Sequence, residues 1–336
     1  MIVEATQEII AGGRLSFETA AGVMGEIMDG SPTPAQFGAF VAALSTRGET
    51  SEEIAGMATV MRARARQVDA GDGLVDTCGT GGDGQNTYNI STAAAFVVAG
   101  AGGRVAKHGN RAATSMSGSA DVLEALGVKI DLPPEAVAEC IRRAGVGFMF
   151  AQTYHPAMKF AAPLRREIGI RTVFNVLGPL TNPTGVKRQV LGVGRADLVG
   201  AMADVLVRMG AEHALVVHGK EGLDEVSISG PTLVADARGG EVSRYEIEPG
   251  DFGLDAAPIE AIAGGDPEHN AAIINTVLEG EEGPRRDVLL INAGAGIFAA
   301  GLAPDISSGV AMAAESIDGG KARAALESLV ELSNQV

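Results

Sequence analysis

The segment from Asp76 to Thr92 combines a cluster of glycines with the start of an apolar run. Because glycine adopts positive φ and has no side chain, such a turn lets the backbone approach a ligand closely. The side chains of Asn89, Ser91 and Thr92 are of the types that begin a helix, where unpaired N–H groups and the helix dipole favour an anion. These features together predict a phosphate or pyrophosphate site. The glycines are Gly79, Gly81, Gly82 and Gly84.

The glycine spacing differs from that of two well-known phosphate loops. A Walker A loop requires Gly-Lys-Ser/Thr, which does not follow Gly84. A dinucleotide-binding fingerprint requires another glycine spacing and an acidic residue beyond a second strand. Taken by themselves, residues 79–84 are therefore explained equally well as a structural turn.

A second candidate site is the basic segment 107–111, whose sequence is Lys-His-Gly-Asn-Arg. It follows a short predicted strand and precedes several hydroxyl residues between Thr114 and Ser119. Ligands of open α/β sheets bind beyond the carboxyl ends of strands, where Lys107 and Arg111 would lie. A solvated loop is the alternative, but the presence of two polyanion-binding patterns in one sheet favours a ligand site.

Two pairs of adjacent charged residues are further candidates. Asp224 and Glu225 follow a predicted strand, and Mg²⁺ typically binds one or two carboxylates together with substrate phosphates and water. An exposed acidic loop is the alternative in so acidic a chain. Arg165 and Arg166 could grip a carboxylate through paired hydrogen bonds or could lie on a helix surface, and spacing does not decide between these.

The elements that must position these residues follow from capping signals and periodicity. Up to about Gln67 the pattern is helical, with capping boxes at Thr33 and Thr50 and apolar residues at helical spacing after each. After a linker at residues 69–73, short strands alternate with helices. This alternation predicts an α/β fold, in which a small all-helical N-terminal domain precedes a large α/β domain with a mostly parallel central sheet flanked by helices.

The domain boundaries are predicted at 1–70 for the helical domain and 71–336 for the α/β domain. An inserted segment at about 165–188 is expected to join the helical domain. Helices are predicted at 90–101, 120–126, 134–144, 198–209, 268–278, 308–317 and 321–332. Strands are predicted at 74–78, 104–107, 147–150, 189–193, 214–218 and 288–292, with a hairpin at 232–236 and 242–247.

Composition limits the classes of function. Of 336 residues, 46% are hydrophobic, which suffices for a sizeable core. The formal net charge of -16 argues against a nucleic-acid partner, because a basic face is needed to displace counterions. The two cysteines, Cys78 and Cys140, do not make a disulfide framework, which favours a reduced, cytoplasmic setting. No signal peptide and no membrane span are predicted.

Six motifs, in order along nearly the whole chain, resemble those of the anthranilate phosphoribosyltransferase family. The resemblance implies a helical and an α/β domain with the active site between them, and a homodimer joined through the helical domains. It also implies Mg²⁺-dependent transfer of ribose 5-phosphate from phosphoribosyl pyrophosphate (PRPP) to the amine of anthranilate, in tryptophan biosynthesis. The α/β domain at 71–336 would then be the PRPP-binding domain. The motifs are Gly79-Thr-Gly-Gly-Asp83, Asn89-Ile-Ser-Thr92, Lys107-His-Gly-Asn-Arg111, Gly118-Ser-Ala-Asp121, Gly178-Pro-Leu-Thr-Asn-Pro183 and Leu223-Asp-Glu225.

Carried over to matching positions, the resemblance implies roles for individual residues. Anthranilate would contact Gly79, Asn110 and Arg165, and Mg²⁺ would be held by Ser91, Asp224 and Glu225. Ala112 and Ala113 stand where a hydroxyl is expected at one position, which puts side-chain contacts there in doubt but leaves backbone contacts possible. PRPP would be bound by Gly79, Gly82, Asp83, Thr87, Asn89, Ile90, Ser91, Thr92, Lys107, His108, Gly109, Asn110, Arg111, Ala112, Ala113, Thr114, Ser115 and Ser119.

No dedicated catalytic acid or base is expected, because an aryl amine is neutral at pH 7 and already exposes its lone pair. Positioning and electrostatic stabilisation of the leaving pyrophosphate would supply most of the rate. Two alternatives remain open at this point. One is a pyrimidine nucleoside phosphorylase-like enzyme, which would use free phosphate. The other is a non-catalytic relative that binds nucleic acid, for which the acidic composition is unfavourable.

Overall fold

The computed structural model describes residues 1–112 and 115–335. Its N-terminal region is helical, and both expected capping boxes are present. The Thr33 hydroxyl accepts a hydrogen bond from the Gln36 amide, while the Gln36 side chain accepts one from the Thr33 amide. Thr50 and Glu53 pair in the same way. The helices are α1 (Ile2–Ile10), α2 (Phe17–Met28), α3 (Pro34–Arg47) and α4 (Ser51–Ala63).

A seven-stranded sheet forms the centre of the remainder, in the order β3-β2-β1-β4-β5-β6-β7. Strands β1 to β5 are parallel to one another, whereas β6 is antiparallel to β5 and forms an antiparallel hairpin with β7 at one edge. The predicted helical domain and mostly parallel sheet are thereby confirmed. The strands are β1 (Leu74–Gly79), β2 (Arg104–Gly109), β3 (Val146–Phe150), β4 (Arg188–Gly192), β5 (His213–Gly219), β6 (Thr232–Arg238) and β7 (Glu241–Ile247).

Helices cover both faces of this sheet, and the two faces belong to two apolar cores. Val217 on β5 faces a core formed with α5, α13 and α15, whereas its neighbour Val216 faces a core shared by α11 and the N-terminal helices. The remaining helices are α5 (Ile90–Gly100), α6 (Ser119–Ala125), α7 (Pro134–Ala144), α8 (Ala151–Tyr154), α9 (Ala161–Ile168), α10 (Phe174–Leu177), α11 (Leu198–Arg208), α12 (Pro267–Leu278), α13 (Pro284–Ala299), α14 (Ile306–Asp318) and α15 (Lys321–Asn334).

The strand predicted at residues 288–292 is wrong, because these residues lie inside helix α13. From Val288 to Ala299 every residue of α13 is buried, so the helix shows no polar face and its short apolar runs resemble a buried strand. Two sequence features favour the helix. The apolar stretch is longer than an ordinary strand, and Pro284 stands at the first helical turn.

The segment between α8 and β4 returns to the N-terminal helices. Phe174 on α10 packs against Phe37 on α3, with ring centroids 5.8 Å apart. The Arg62 guanidinium on α4 donates to the Leu180 carbonyl at 2.8 Å and 3.1 Å. Helices α9 and α10 therefore complete the apolar core that α1–α4 begin. Over the described residues, no helix has the length and apolar character needed to cross a membrane.

Candidate functional site

A cavity of about 730 Å³ lies beyond the carboxyl ends of β1 and β2 and against the loop that follows β5. β2 and β4 lie on opposite sides of β1, so the strand order reverses at the floor of the cavity. Open α/β sheets bind ligands at such a point. The predicted residues that line the cavity are Gly79, Gly82, Asp83, Thr87, Asn89, Ile90, Ser91, Thr92, Lys107, His108, Gly109, Asn110, Arg111, Ala112, Ser115, Ser119, Asp224 and Glu225.

The glycine turn at residues 79–84 is held against the loop after β5. Gly79 ends β1, and a Cβ there would come within 2.3 Å of Asp224 Oδ2, so only glycine fits. The Gly81 amide donates a 2.6 Å hydrogen bond to the same oxygen. Further along, the Gln85 side chain donates to the Glu221 carbonyl at 2.8 Å. The turn thus forms one wall of the cavity with its backbone facing the ligand space.

The start of helix α5 is fixed by contacts with distant parts of the chain. Asn89 occupies the N-cap position, and its side chain turns to Ser117 and Asn270. The Ser91 amide donates to Glu225 Oε1 at 3.1 Å. A carboxylate therefore sits at the positive end of the helix dipole, where such an anion is stabilised.

Lys107 lies below the cavity floor, buried among neutral and acidic groups. Its ammonium donates to the Thr77 carbonyl at 2.5 Å and approaches the Ser91 hydroxyl at 3.4 Å. Burial lowers the pKa of Lys107, and the nearby Asp76 carboxylate partly offsets this effect. Burial raises the pKa of Asp76 to about 6, while Lys107 and the Asn182 side-chain amide, which donates to Asp76 at 2.8 Å, act to lower it.

The cavity lining also holds three acidic side chains that influence one another, Asp83, Asp224 and Glu225. Burial, followed by the Asp83 carboxylate, raises the pKa of Asp224 to about 7. Burial, followed by Asp224, raises the pKa of Glu225 to about 8. The raised pKa values of Asp224 and Glu225 indicate that negative charge on these carboxylates is poorly compensated. A cation bound between their oxygens would therefore be stabilised.

The protein alone does not complete a metal site. Within residues 1–112 and 115–335, no three His, Cys, Asp or Glu side chains converge with metal-binding geometry. An ion bound at Asp224 and Glu225 would need further oxygen ligands from a substrate or from water. Mg²⁺ is the ion that ordinarily accepts this mixture of ligands.

Arg111, one of the two cations of the basic segment, is engaged in ion pairs. Its guanidinium contacts Asp121 at 2.9 Å and Glu124 at 2.5 Å, and it lies 5.4 Å from the Phe150 ring centroid. The Ala112 amide donates to Asp121 as well, at 2.9 Å. These contacts give Arg111 a structural part in shaping the loop, and they reduce the positive charge that it presents to the cavity.

The rest of this loop presents hydroxyl and amide groups to the cavity. The Ser119 hydroxyl donates to the Asn110 carbonyl at 3.3 Å, and Ser115 also lines the cavity. The sequence-predicted residues Ala113 and Thr114 lie outside the described part of the chain.

His108 faces the cavity from the end of β2 with a ring that is buried and neutral. Its centroid lies 5.0 Å from that of His155, which is buried behind it. Burial lowers the pKa of His108 to about 3 and that of His155 to about 4. Neither ring is therefore a source of positive charge near pH 7.

Among the described residues, the cavity lining does not include Arg165, the predicted contact for a carboxylate. Its guanidinium lies on α9, half-buried, 5.1 Å from the centroid of the Phe174 ring. The lining instead includes Arg171, which follows α9, and Asn175 on α10. Arg171 Nη1 donates to the Gly82 carbonyl at 3.0 Å.

Several residues that shape the site were not predicted. Arg171 and Asn175 lie in a loop-rich stretch without a recognised pattern, and Asn270 lies on a helix far along the chain. Ser117 stood within the hydroxyl-rich segment, and Asn182 stood within the motif at residues 178–183. For these last two residues the sequence did hold a signal, since polar side chains in a turn next to a predicted ligand loop are candidates for positioning it.

Chemically, the cavity suits a polyanion with a bound cation. Backbone amides of the glycine turn and the start of α5 line one region, carboxylates line another, and Lys107 lies beneath both. Such fixed donors and charges can compensate negative charge that develops on a leaving group. Arg171 and Asn175, which follow α9 along the chain, line the same space.

Two family models cover the chain. One, described as the helical bundle domain of a glycosyl transferase family, matches residues 3–65. The other, described as the a/b domain of the same family, matches residues 71–323.

Individual relatives agree with these models over the full length. The chain is 56% identical over 334 residues to the anthranilate phosphoribosyltransferase of Chloroflexus aurantiacus, covering 99% of this chain and 98% of that protein. It is 53% identical over 337 residues to the enzyme of the same name from Rubrobacter xylanophilus, covering 100% of this chain and 98% of that one.

Solved structures of the same kind superpose closely. The crystal structure of anthranilate phosphoribosyltransferase from Thermus thermophilus matches with a TM-score of 0.93 at 46% identity, over 98% of this chain and 99% of that one. The structure of the Saccharomyces cerevisiae enzyme in complex with PRPP and Mg matches with a TM-score of 0.90 at 28% identity. That match covers 100% of this chain and 98% of the yeast chain.

Proposed function

Since the chain belongs to the anthranilate phosphoribosyltransferase family, we propose that its cavity transfers the 5-phosphoribosyl group of PRPP to the amine of anthranilate. The products are N-(5-phosphoribosyl)anthranilate and pyrophosphate, and the step belongs to L-tryptophan biosynthesis. One observation carries the assignment of this reaction to the cavity. The glycine turn, the start of α5, Lys107 and the two half-buried carboxylates of Asp224 and Glu225 meet in a single space.

PRPP is assigned to the region between the glycine turn and α5. The amides at the start of a helix and in a glycine turn bind phosphate oxygens through hydrogen bonds and through the helix dipole. The hydroxyl oxygen of Thr92 is buried at this point and has no hydrogen-bond partner among the described residues. An unpaired buried hydroxyl is costly, so a phosphate oxygen there would restore a missing hydrogen bond.

Asp224, Glu225 and Ser91 are the groups that would hold Mg²⁺. The donor set fits this ion, because the two carboxylates are half-buried, close together and short of compensating positive charge. When bound, Mg²⁺ neutralises the pyrophosphate and makes it a better leaving group. The yeast relative was solved with both PRPP and Mg.

Anthranilate is assigned to the side of the cavity that faces α9. Asn110 and Gly79 line the cavity where this second substrate would meet PRPP. Arg165 is proposed as the partner of its carboxylate, for which a planar guanidinium is well suited. Burial lowers the pKa of Arg165, and a bound carboxylate would supply the charge that this buried guanidinium lacks.

The chain's own part in the chemistry is to bind, orient and compensate charge. Lys107 and the oriented amides stabilise charge that develops on pyrophosphate as its bond to the ribose weakens. The amine of anthranilate then attacks the opposite face of the ribose carbon, and no protein base is needed to activate it. Holding the two substrates in line supplies much of the acceleration.

We further propose that the protein forms a homodimer through its helical domain and that it acts in the cytoplasm. Large apolar side chains are exposed on the helical region, including Val3 and Ile10 on α1 and Ile170 after α9. Both cysteines are buried and free, which suits a reducing compartment. Light scattering after size-exclusion chromatography tests the assembly, because a mass near twice 34.2 kDa is expected.

The direct test follows the loss of anthranilate fluorescence after PRPP and Mg²⁺ are added to the purified protein. Loss that depends on all three components is the expected result. Phosphate-dependent cleavage of a pyrimidine nucleoside, without consumption of anthranilate, would contradict the proposal and favour the phosphorylase alternative.

A further inference from the structure

Arg171 links the tip of the glycine turn to the helical region. Its Nη1 donates to the Gly82 carbonyl at 3.0 Å, at a residue whose φ is +69°. A Cβ on Gly82 would lie 3.5 Å from both terminal guanidinium nitrogens, so the two groups are in direct contact. The guanidinium therefore rests against the tip of the turn.

The main chain of Arg171 is fixed on the other side of the cavity. Its carbonyl accepts a 3.0 Å hydrogen bond from the Ser45 hydroxyl on α3. The next residue, Thr172, donates its amide to Asn175 Oδ1 at 2.9 Å. Val173 and Phe174 are buried in the helical core directly after it. The backbone of Arg171 thus belongs to the helical region, while its guanidinium reaches the α/β region.

The contacts of the turn with the loop after β5 tie its two ends to the α/β region. Gly81 donates to Asp224, and Gln85 donates to the Glu221 carbonyl. Gly81, Gly82 and Gly84 all have positive φ, so the backbone between these ties has few conformational restraints of its own. At the tip, the Asp83 carboxylate accepts a 3.4 Å hydrogen bond from the Asp224 amide, and the Gly82 carbonyl accepts the hydrogen bond from Arg171. Arg171 thus supplies the contact between the tip and the helical region.

We propose that Arg171 is a positioning residue that holds the glycine turn closed across the cavity and so keeps water away from the reacting ribose carbon. The second part of this proposal, the exclusion of water from the ribose carbon, rests on the function proposed above. Water competes with anthranilate for that carbon. In the competing step the bond from the ribose carbon to pyrophosphate breaks, a bond from that carbon to a water oxygen forms, and the water loses a proton to solvent. Ribose 5-phosphate and pyrophosphate result.

Two variants separate the hydrogen bond from the charge. Arg171→Met keeps an unbranched side chain but has no donor, and Arg171→Lys keeps the charge without the planar fork. Arg171 is exposed, so both variants are expected to fold. Arg14→Met is the matched control, because Arg14 is an exposed arginine in the same helical region.

The first measurement is hydrogen–deuterium exchange of the peptide that covers residues 79–87, without substrates. We expect roughly fivefold faster exchange in Arg171→Met than in wild type, in line with the loss of one hydrogen bond, and an intermediate value in Arg171→Lys. The second measurement is the ratio of anthranilate consumed to pyrophosphate released. We expect this ratio to fall in Arg171→Met and to stay at the wild-type value in Arg14→Met.

Unchanged exchange in the turn would overturn the proposal, even if PRPP bound more weakly, because Arg171 would then act as a substrate ligand. Faster exchange with an unchanged ratio would also overturn it, since the turn would open without admitting water. The exchange experiment needs no substrate, so its result is independent of the assigned reaction. A wild-type protein that consumes no anthranilate would refute that assignment alone.

Discussion

The side-chain amide of Asn270 donates a 2.9 Å hydrogen bond to Asn89 Oδ1, across 181 residues of sequence. Asn270 is 1% exposed, and its own oxygen accepts a 2.7 Å hydrogen bond from the Gly265 amide. Helix α12 therefore sets the orientation of the residue that begins α5, where the proposed PRPP site lies. The Ser117 hydroxyl, which donates to the same Asn89 oxygen at 3.1 Å, completes this arrangement.

Asn270→Ala should weaken PRPP binding without a direct contact to it. Loss of the donor frees the Asn89 side chain, and we expect the KM for PRPP to rise about tenfold, equivalent to about 1.4 kcal/mol, with the KM for anthranilate nearly unchanged. Steady-state kinetics with each substrate varied in turn checks this. Asn275→Ala, on the exposed face of the same helix, is the control. An equal rise in both KM values would contradict a role in orienting Asn89.

The pair Asp224→Asn with Glu225→Gln should lower activity and raise stability. Both carboxyls are half-buried with too little compensating positive charge, so neutral isosteres remove electrostatic repulsion and the cost of desolvating a charge. We expect Mg²⁺-dependent turnover to fall at least tenfold, about 1.4 kcal/mol in barrier, while the Tm measured in EDTA rises. Asp204→Asn, at an exposed acid on α11, should change neither quantity. Retained activity with the wild-type dependence on Mg²⁺ would refute the metal assignment.

Arg165→Ala should affect anthranilate much more than PRPP. The guanidinium is positioned by the Phe174 ring 5.1 Å away, on the side of the cavity assigned to the carboxylate. We expect the KM for anthranilate to rise by about tenfold or more, in line with a charge-assisted hydrogen bond worth about 1.5–3 kcal/mol. Arg166→Ala, at the exposed neighbouring arginine, serves as the control. Equal increases in both KM values would show that Arg165 does not bind the carboxylate.

Acid should destabilise the protein through His155. Its pKa is lowered by burial to about 4, against 6.5 as its ordinary value, so the unfolded chain binds a proton at a pH where the folded protein does not. This contribution to stability is complete above pH 6.5 and is lost as pH falls toward 4. Between pH 7 and pH 5 the loss is about 2 kcal/mol, at about 1.36 kcal/mol for each pH unit below 6.5.

Urea denaturation of wild type and His155→Gln at pH 7 and pH 5 measures this contribution. The comparison with a variant is needed because Asp76 acts in the opposite sense. The pKa of the Asp76 carboxyl is raised to about 6 in the folded protein, so as pH falls this carboxyl takes up a proton in the folded state before it does in the unfolded chain. Its protonation therefore favours the folded state as pH falls. Between pH 7 and pH 5, we expect the free energy of unfolding of His155→Gln to fall by about 2 kcal/mol less than that of wild type does. His269→Gln, at an exposed histidine on α12, should follow wild type. Parallel decreases in His155→Gln and wild type would contradict the buried, neutral state of His155.

Local signals in the sequence predicted much of the fold, and long-range contacts account for what was missed. The boxes at Thr33 and Thr50 placed two helix starts because both partners lie within one turn. The run at 288–292 was misassigned because a helix buried on every side loses its polar stripe. Asn270 could not be placed, since nothing near it in sequence reveals a partner 181 residues away.

In the candidate site, too, local sequence signals identified most residues, and long-range contacts account for those that were missed. Every predicted site residue within the described part of the chain lines one cavity, except the candidates Arg165 and Arg166. The glycine turn, the basic segment and the two carboxylates each follow a strand of one sheet, so topology alone brings them together. Arg171 joins two regions that meet only after folding, and its contact with Gly82 depends on how α9 and α10 pack.

The helical core also has a consequence for the order of folding during synthesis. Helices α1–α4 span residues 2–63, yet the core that they enclose is completed by α9 and α10, which begin at residue 161. At about 5–20 residues per second, the ribosome adds the intervening segment over several seconds. Throughout this interval the N-terminal helices expose the apolar surface that Phe174 and Leu177 will cover. The nascent chain is therefore most vulnerable to aggregation before α9 and α10, which are proposed to border the anthranilate site, have been synthesised.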